Sequence, residues 1–407
     1  MKILAANKFY YIFGGSDRYF FELNSLHEHA GHTVIPFAMQ HQENFPSPYE
    51  KFFVSPVNYW DNPSFLDKLK AAGRVLYSFE ARRKIRHLIE KEKPDIAHIH
   101  LIAHQISPSI LPILKEFNIP IVQTSHEYKP ICPTYSMVSN EQICERCKGK
   151  RFYHATLQKC NHNSLSASAL NSIEMYLHHG LGWYDLPNIY ITPSNFMRKK
   201  MIEFGMPGNK IVHIPNFVDP SKYHFSADTE NYFVYIGRLS RIKGVGTLLK
   251  AMKHLSSNTK LLIIGDGPQR AELEQIKETL ELDHVHFLGY QDTESLTQLL
   301  AKSQFSVLPS EWYENCPMSI LESMAIGKPV VGARIGGIPE LIEDGQDGLL
   351  FESKNALDLA DKLRYLIAKP EQCKQMGLNA RRKMETSYNA EFHYQNILDV
   401  YDSILKH

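Results

Sequence analysis

The sequence predicts an α/β protein of two doubly wound domains in tandem. Three observations predict it. Short apolar runs alternate with helical windows, the signature of a parallel sheet covered by helices. That alternation stops at a polar, turn-rich stretch, Asn216–Asn231, which carries Pro220, and then restarts. At 407 residues the chain also exceeds one ordinary core.

The first series of expected strands is Lys2–Ala6, Thr33–Ala38, Asp95–His100, Pro120–Ser125, Asn188–Thr192 and Ile211–Pro215. A helix over Ser16–Ala30 follows Gly14-Gly15 and stops at Gly31, a residue type suited to the left-handed position after a helix. The second series is Tyr232–Ile236, Lys260–Ile264, Val285–Leu288, Phe305–Leu308 and Pro329–Gly332, with Leu349–Phe351 as a short edge strand. Glu391–Leu405 has the period of an amphipathic helix. Its pattern allows packing back on the first domain or capping the second. In folds of this class the ligand crevice lies at the carboxyl ends of the strands, and a cleft between the domains is expected to hold it.

Composition narrows the function. Hydrophobic residues make up 43% and charged residues 22%, as in a globular protein, and the net charge of +1 lacks the basic footprint of a nucleic-acid binder. No run of 18 apolar residues predicts a membrane span, and MKILAANKFYYIFGG is too broken for a signal peptide. A cytoplasmic protein with reduced cysteines is expected. Basic residues crowd Lys68–Lys93, read either as a solvated helix face or as a contact with anionic lipid on the inner face of the membrane.

Four stretches of the second half place polar chemistry at strand ends. In YIGRLSRIKG, Arg238 and Lys243 sit on a strand-to-helix turn, where a planar fork and a point charge fit a pyrophosphate. In IIGDGPQ, Gly265 and Gly267 either admit a ligand close to the backbone or only make a turn. In EWYENCPMSILE, Pro317 reads as the first helical residue, with Glu314 in the loop before and Glu322 beyond the first turn. A helix start carries unpaired N–H groups and partial positive charge, so an anionic ligand could lie there between two carboxylates that read hydroxyls. In ARIGGIPELI, Gly336-Gly337 and Pro339 start another helix.

These residues carry a resemblance. GRLSRIKG, GDGP, ENCPMSILE, GKPVV and GGIPE stand in the order of a family-4 retaining glycosyltransferase of the GT-B fold with an E-x7-E motif. The Gly14-Gly15 loop, PDIAHIH, SHEY and IVHIPNFVD extend the likeness over the first half. The resemblance implies two Rossmann-like domains facing each other across a cleft. They are assigned as 1–218, the acceptor side with a Cys-rich insert at 129–163, and 219–388, which binds the nucleotide sugar. Residues 389–407 are assigned to a helix packing back on the first domain.

It further implies transfer of a sugar from a UDP- or GDP-linked donor to a glycan or lipid-linked acceptor in cell-surface polysaccharide synthesis, without a catalytic metal. By the same resemblance Arg238 and Lys243 clamp the diphosphate, and Glu322 binds the ribose. Glu314 faces the donor sugar with backbone groups of Asn315, Cys316, Met318 and Ser319. Gly14 and Gly15 approach the diphosphate, and His126 contacts the sugar near the reacting carbon. Cys316 departs from the Phe or Gly common at its position, which bears on donor identity. The catalytic set is thus His126, Glu314, Arg238 and Lys243. A non-catalytic nucleotide-sugar-binding or scaffolding protein is the alternative.

Four of six cysteines, Cys132, Cys144, Cys147 and Cys160, fall within 29 residues around one CxxC. The spacing can enclose a tetrahedral S4 site, and a structural Zn²⁺ would order an insert too polar to fold on an apolar core. Four unmetallated thiols or an iron–sulfur cluster are the other readings, and His154 and His162 could substitute as ligands.

Overall fold

The computed structural model describes residues 1–57, 65–226, 228–256 and 258–405, the side chains of 65–70 excepted. It forms two compact units, Met1–Ile214 with Tyr394–His407, and Pro215–His393.

Unit 1 contains β1 (Lys2–Ala6), β2 (Thr33–Phe37), β3 (Ile96–Ile99), β4 (Ile121–Thr124), β5 (Val138–Ser139), β6 (Gln142–Ile143), β7 (Ile189–Thr192) and β8 (Ile211–His213). Six of these form a parallel sheet in the order β2-β1-β3-β4-β7-β8, and β5 and β6 form a separate antiparallel hairpin. Unit 2 contains β9 (Tyr232–Ile236), β10 (Lys260–Ile264), β11 (Val285–Gly289), β12 (Ser306–Leu308), β13 (Val330–Ala333) and β14 (Gly348–Phe351). Its parallel order is β11-β10-β9-β12-β13-β14.

The apolar runs form central strands because helices cover both faces of each sheet. β3, β4, β13 and β14 are buried along their whole length. In unit 2 the core joins Phe233, Tyr235, Leu261, Ile263 and Val307 to helix residues such as Leu248, Leu321 and Leu363. The order of strands reverses between β9 and β12 in unit 2 and between β1 and β3 in unit 1. Such switch points open a crevice at the carboxyl ends of the strands.

The expected strands Lys2–Ala6, Tyr232–Ile236 and Lys260–Ile264 match the observed ones, and the others differ by at most two residues at an end. One difference concerns the site. Pro317 is the extended residue before the helix Met318–Ile326, with φ −67° and ψ 124°, and not its first helical residue.

The last helix, Ala390–Leu405, brings Tyr401 into unit 1. The Tyr401 hydroxyl lies 2.6 Å from His98 Nδ1 and 3.2 Å from His27 Nε2. In the basic segment most described charges are committed: Arg74 and Lys84 pair with Glu80, Arg86 with Glu116, and Arg82 donates to the Ser109 carbonyl. The side chains of Lys68 and Lys70 lie outside the described residues. No described helix is long and apolar enough to cross a membrane.

Candidate functional site

The site in unit 2 is built by the loops that leave β9 and β12, the two strands flanking the switch point. Leaving β9, the chain passes Arg238, makes a short turn at Arg241–Lys243, and enters the helix Val245–Met252 through Gly244. Gly244 has φ +70°, and a Cβ there would lie 1.9 Å from the Pro309 carbonyl oxygen. Only glycine lets the two loops approach so closely. Thr247 Oγ1 donates to Glu311 Oε1 at 2.6 Å, and the Glu311 N–H donates to the Ile242 carbonyl at 2.8 Å.

The same contact brings Lys243 beside the Glu314 carboxylate. Lys243 Nζ donates to Glu314 Oε1 at 2.6 Å, and Ser310 Oγ donates to the same oxygen at 2.6 Å. Glu314 is only 5% exposed, so the pair lies largely out of water, where a charge-assisted bond is strong. The Lys243 ammonium also lies 5.3 Å from the centre of the Trp312 ring.

A third loop holds Glu314 from behind. Gly336 has φ +60°, and a Cβ on it would lie 2.4 Å from the Glu314 carbonyl oxygen. The Gly337 N–H donates to that oxygen at 2.7 Å. Arg238 is exposed, and its side chain makes no hydrogen bond or ion pair among the described residues. Glu322 is 7% exposed in the second turn of Met318–Ile326, and Met318 and Ser319 form that helix's start. Unit 2 therefore gathers Arg238, Lys243, Glu314 and the helix start carrying Glu322 around one switch point.

Two expected residues have other work. Gly265, at φ +132°, would put a Cβ 2.1 Å from the Gly237 carbonyl oxygen, and Gly267 would put one 2.3 Å from that of Leu239. Both glycines let the loops after β9 and β10 pack backbone on backbone. Cys316 is buried in the core, and burial pushes its thiol up to about 12, so it stays protonated. Its carbonyl accepts from Asn216 Nδ2 at 2.9 Å. Asn315 lies between Glu314 and this anchored residue.

In unit 1, His126 follows β4. Its Nε2 lies 3.1 Å from His100 Nδ1, with the two rings stacked at 14°. Burial is the main cause that lowers His126 to about 3, and it lowers His100 well below its ordinary value. Both imidazoles are neutral at neutral pH, so His126 can donate or accept a hydrogen bond but brings no charge. Gly14 precedes the helix Gly15–His29, and its N–H donates to Asp17 Oδ2 at 3.0 Å. Asn7 Nδ2 in turn donates to Asp17 Oδ1 at 2.9 Å. A Cβ at Gly14 would meet no atom within 4 Å, so packing inside the unit does not demand glycine there.

The structural zinc expected at Cys132, Cys144, Cys147 and Cys160 is not supported. No group of three or more His, Cys, Asp or Glu among the described residues is placed to hold a metal ion. Burial is the largest cause that raises the Cys147 and Cys160 thiols, and the neighbouring cysteines raise them further. Packing contributes to the order of the insert. Cys147 and Phe152 form a small core with Met175 and Tyr184. Lys129 Nζ donates to Glu174 Oε2 at 2.6 Å with both side chains buried. Burial pushes the Glu174 carboxyl up, but the charges of Lys129 and His104 hold it down to about 2. The apolar partner was missed because the helix Leu165–Gly180 that supplies Met175 and Glu174 follows the insert.

Sequence reasoning also missed Ser310, Thr247, Glu311 and His100. Gly244 stood inside GRLSRIKG as the available signal for a close loop contact, and Gly336-Gly337 stood inside GGIPE.

Comparison with known proteins covers both halves. The model for Glycosyltransferase Family 4 matches residues 13–222, and that for Glycosyl transferases group 1 matches residues 221–383. N-acetyl-alpha-D-glucosaminyl L-malate synthase of Bacillus anthracis is 30% identical over 233 residues, 54% of this chain and 60% of the relative. The amylovoran biosynthesis glycosyltransferase AmsK of Erwinia amylovora is 28% identical over 224 residues, 52% of this chain and 55% of the relative. The chain thus matches a little over half the length of these relatives. Among solved structures, sucrose-phosphate synthase from Thermosynechococcus elongatus aligns with a TM-score of 0.75 at 19% identity, over 100% of this chain and 99% of that one. Anabaena HepE in complex with UDP and glucose aligns with a TM-score of 0.67 at 18% identity, over 99% of this chain and 100% of that one. At these identities the likeness shows the fold, that of the GT-B glycosyltransferases.

Proposed function

The chain belongs to Glycosyltransferase Family 4, and from that premise we propose that it is a retaining glycosyltransferase acting on a nucleotide diphosphate sugar. The donor is UDP- or GDP-linked, and the acceptor is a hydroxyl of a glycan or lipid-linked precursor in cell-surface polysaccharide synthesis. The observation that carries this reading is the Lys243–Glu314 pair at 2.6 Å, held at the switch point of unit 2. The binding of UDP and glucose in the HepE structure and the amylovoran biosynthesis named for AmsK support the choice of substrates.

In the mechanism, Arg238 and Lys243 bind the diphosphate. Their charges stabilise the oxygen that becomes anionic as the bond to the anomeric carbon breaks. The acceptor oxygen forms its bond on the face that the phosphate leaves, and its proton passes to the departing phosphate oxygen. Glu314 orients the sugar hydroxyls while Lys243 and Ser310 fix its carboxylate, and Glu322 binds the ribose hydroxyls. Backbone N–H groups of Asn315, Cys316, Met318 and Ser319 complete the sugar contacts. In unit 1 the reading assigns Gly14 and Gly15 to the diphosphate and neutral His126 to the sugar. No step needs a catalytic metal.

Thermal unfolding with UDP, GDP and ADP tests the donor site on wild type and Glu322→Gln. A ligand at 100 times its Kd adds about 2.7 kcal/mol. A shift with one nucleotide that shrinks in the variant supports the reading, and no shift with any of them removes it. The anomeric configuration of the product, read by proton NMR, tests retention.

A further inference from the structure

The helix Leu165–Gly180 in unit 1 is built inside out. Its buried side chains are Ser168, Asn171, Ser172, Glu174, Met175 and His178, all but Met175 polar. Three of them are engaged within the unit: Glu174 takes Lys129, Asn171 Nδ2 donates to the Pro133 carbonyl at 3.3 Å, and His178 Nε2 lies 2.9 Å from the Leu76 carbonyl oxygen. At 3.6 residues per turn, Leu165, Ala169, Ile173 and Tyr176 share the opposite arc. Leu165, Ile173 and Tyr176 are 57%, 55% and 46% exposed. The short helix Tyr153–Leu157 packs beside this arc: the Tyr153 N–H donates to the Tyr176 hydroxyl at 3.3 Å, and Thr156 Oγ1 donates to Ser172 Oγ at 2.8 Å. It adds Tyr153 and Leu157, which are 46% and 66% exposed.

Single exposed apolar side chains are ordinary, but a group of them on two packed helices marks a surface that meets something else. The charge around it says what. From Arg146 to Leu181 the chain carries five cations, Arg146, Lys148, Lys150, Arg151 and Lys159, and one acid, Glu174. Glu174 is fully buried and paired with Lys129, whereas all five cations are exposed. Lys148 pairs with Glu203 at the surface, and the other four make no ion pair among the described residues. Arg151 and Lys159 bracket the helix Tyr153–Leu157 in the chain.

We infer that the face made by Tyr153–Leu157 and Leu165–Gly180 docks on an anionic lipid surface, its apolar side chains entering the interface and its cations meeting the headgroups. The inference stands apart from the glycosyltransferase reading, since it uses no residue of the donor site. A second copy of the chain fits worse, because a two-fold contact sets the patch against itself and so cations against cations. In Lys68–Lys93, by contrast, most described charges are committed within the unit.

The test is flotation of the full chain with vesicles of phosphatidylcholine alone and of phosphatidylcholine mixed with phosphatidylglycerol. Wild type is expected to float with the anionic vesicles and to be released by salt. Arg151→Gln with Lys159→Gln should weaken binding about fivefold per charge. Leu157→Gln with Ile173→Gln should weaken it about tenfold together. All four side chains are exposed, so both double variants should unfold at the wild-type temperature. No flotation with anionic vesicles, or equal flotation by wild type and the Leu157→Gln, Ile173→Gln variant, overturns the inference. A dimer in sedimentation that Ile173→Gln disperses, without flotation, overturns it too and gives the face to a second copy. The thermal shift with UDP is read separately, so the donor reading and this one can fail independently.

Discussion

Lys243 Nζ and Glu314 Oε1, 2.6 Å apart, tie the loop after β9 to the loop after β12. The side chains are 22% and 6% exposed, so each charge depends on the other for much of its solvation. Lys243→Met leaves a buried carboxylate with only the Ser310 hydroxyl. We expect a loss of about 1 to 3 kcal/mol in urea unfolding, and recovery of most of it in the double variant Lys243→Met, Glu314→Gln. Additive losses would show that the pair is not coupled.

The pair also shows what the sequence could reveal. Apolar alternation made all twelve strands of the two parallel sheets legible, since period and burial are local properties. The residues Lys243 and Glu314 were legible as candidates. Their direct bond was not, because it joins loops 71 residues apart in the chain. The work of Gly265 and Gly267 was hidden for the same reason: sequence shows that a glycine is present, not which backbone it must admit. In the insert, Cys147 and Phe152 were visible, but their apolar partner Met175 belongs to a later helix.

Gly336 and Gly14 are expected to differ sharply. At Gly336 an added Cβ meets the Glu314 backbone at 2.4 Å with φ at +60°. Gly336→Ala should therefore cost about 2 to 4 kcal/mol and displace Glu314. At Gly14 the backbone is extended, with φ −157°, and a Cβ meets nothing. Gly14→Ala should change stability by less than about 0.5 kcal/mol. A fall in transfer rate at that unchanged stability would assign the glycine to the ligand, and an unchanged rate would remove it from the site.

Acid should destabilise the fold before carboxylates titrate. Burial is the main cause that lowers His126 to about 3 and both His179 and His393 to about 4. Unfolded histidine titrates near 6.5, so below that pH the unfolded chain binds more protons than the folded one. These groups leave stability flat above about pH 7 and erode it as pH falls from 6.5, by about 1.4 kcal/mol per unit for each group once it is fully below that value. Glu174, held near 2, adds a loss of its own only as pH falls below about 4.5. Urea midpoints at pH 7, 6 and 5 should drop progressively, and His393→Gln should flatten the slope by one group.

The Tyr401 hydroxyl fastens the terminal helix to the sheet of unit 1. It lies 2.6 Å from His98 Nδ1, and the other nitrogen of His98 is held by Thr124 at 2.7 Å. All three side chains are buried, with Tyr401 at 0% and His98 at 1% exposure. Tyr401→Phe keeps the ring and its packing while removing the oxygen, so its hydrogen bond to His98 Nδ1 is lost out of reach of water. The expected cost is about 1 to 3 kcal/mol in urea unfolding. Hydrogen exchange should localise the loss to Ala390–Leu405 and the amides of β3 and β4. Exchange that stays slow in the helix while stability falls elsewhere would show that apolar packing, and not this hydroxyl, holds the helix in place.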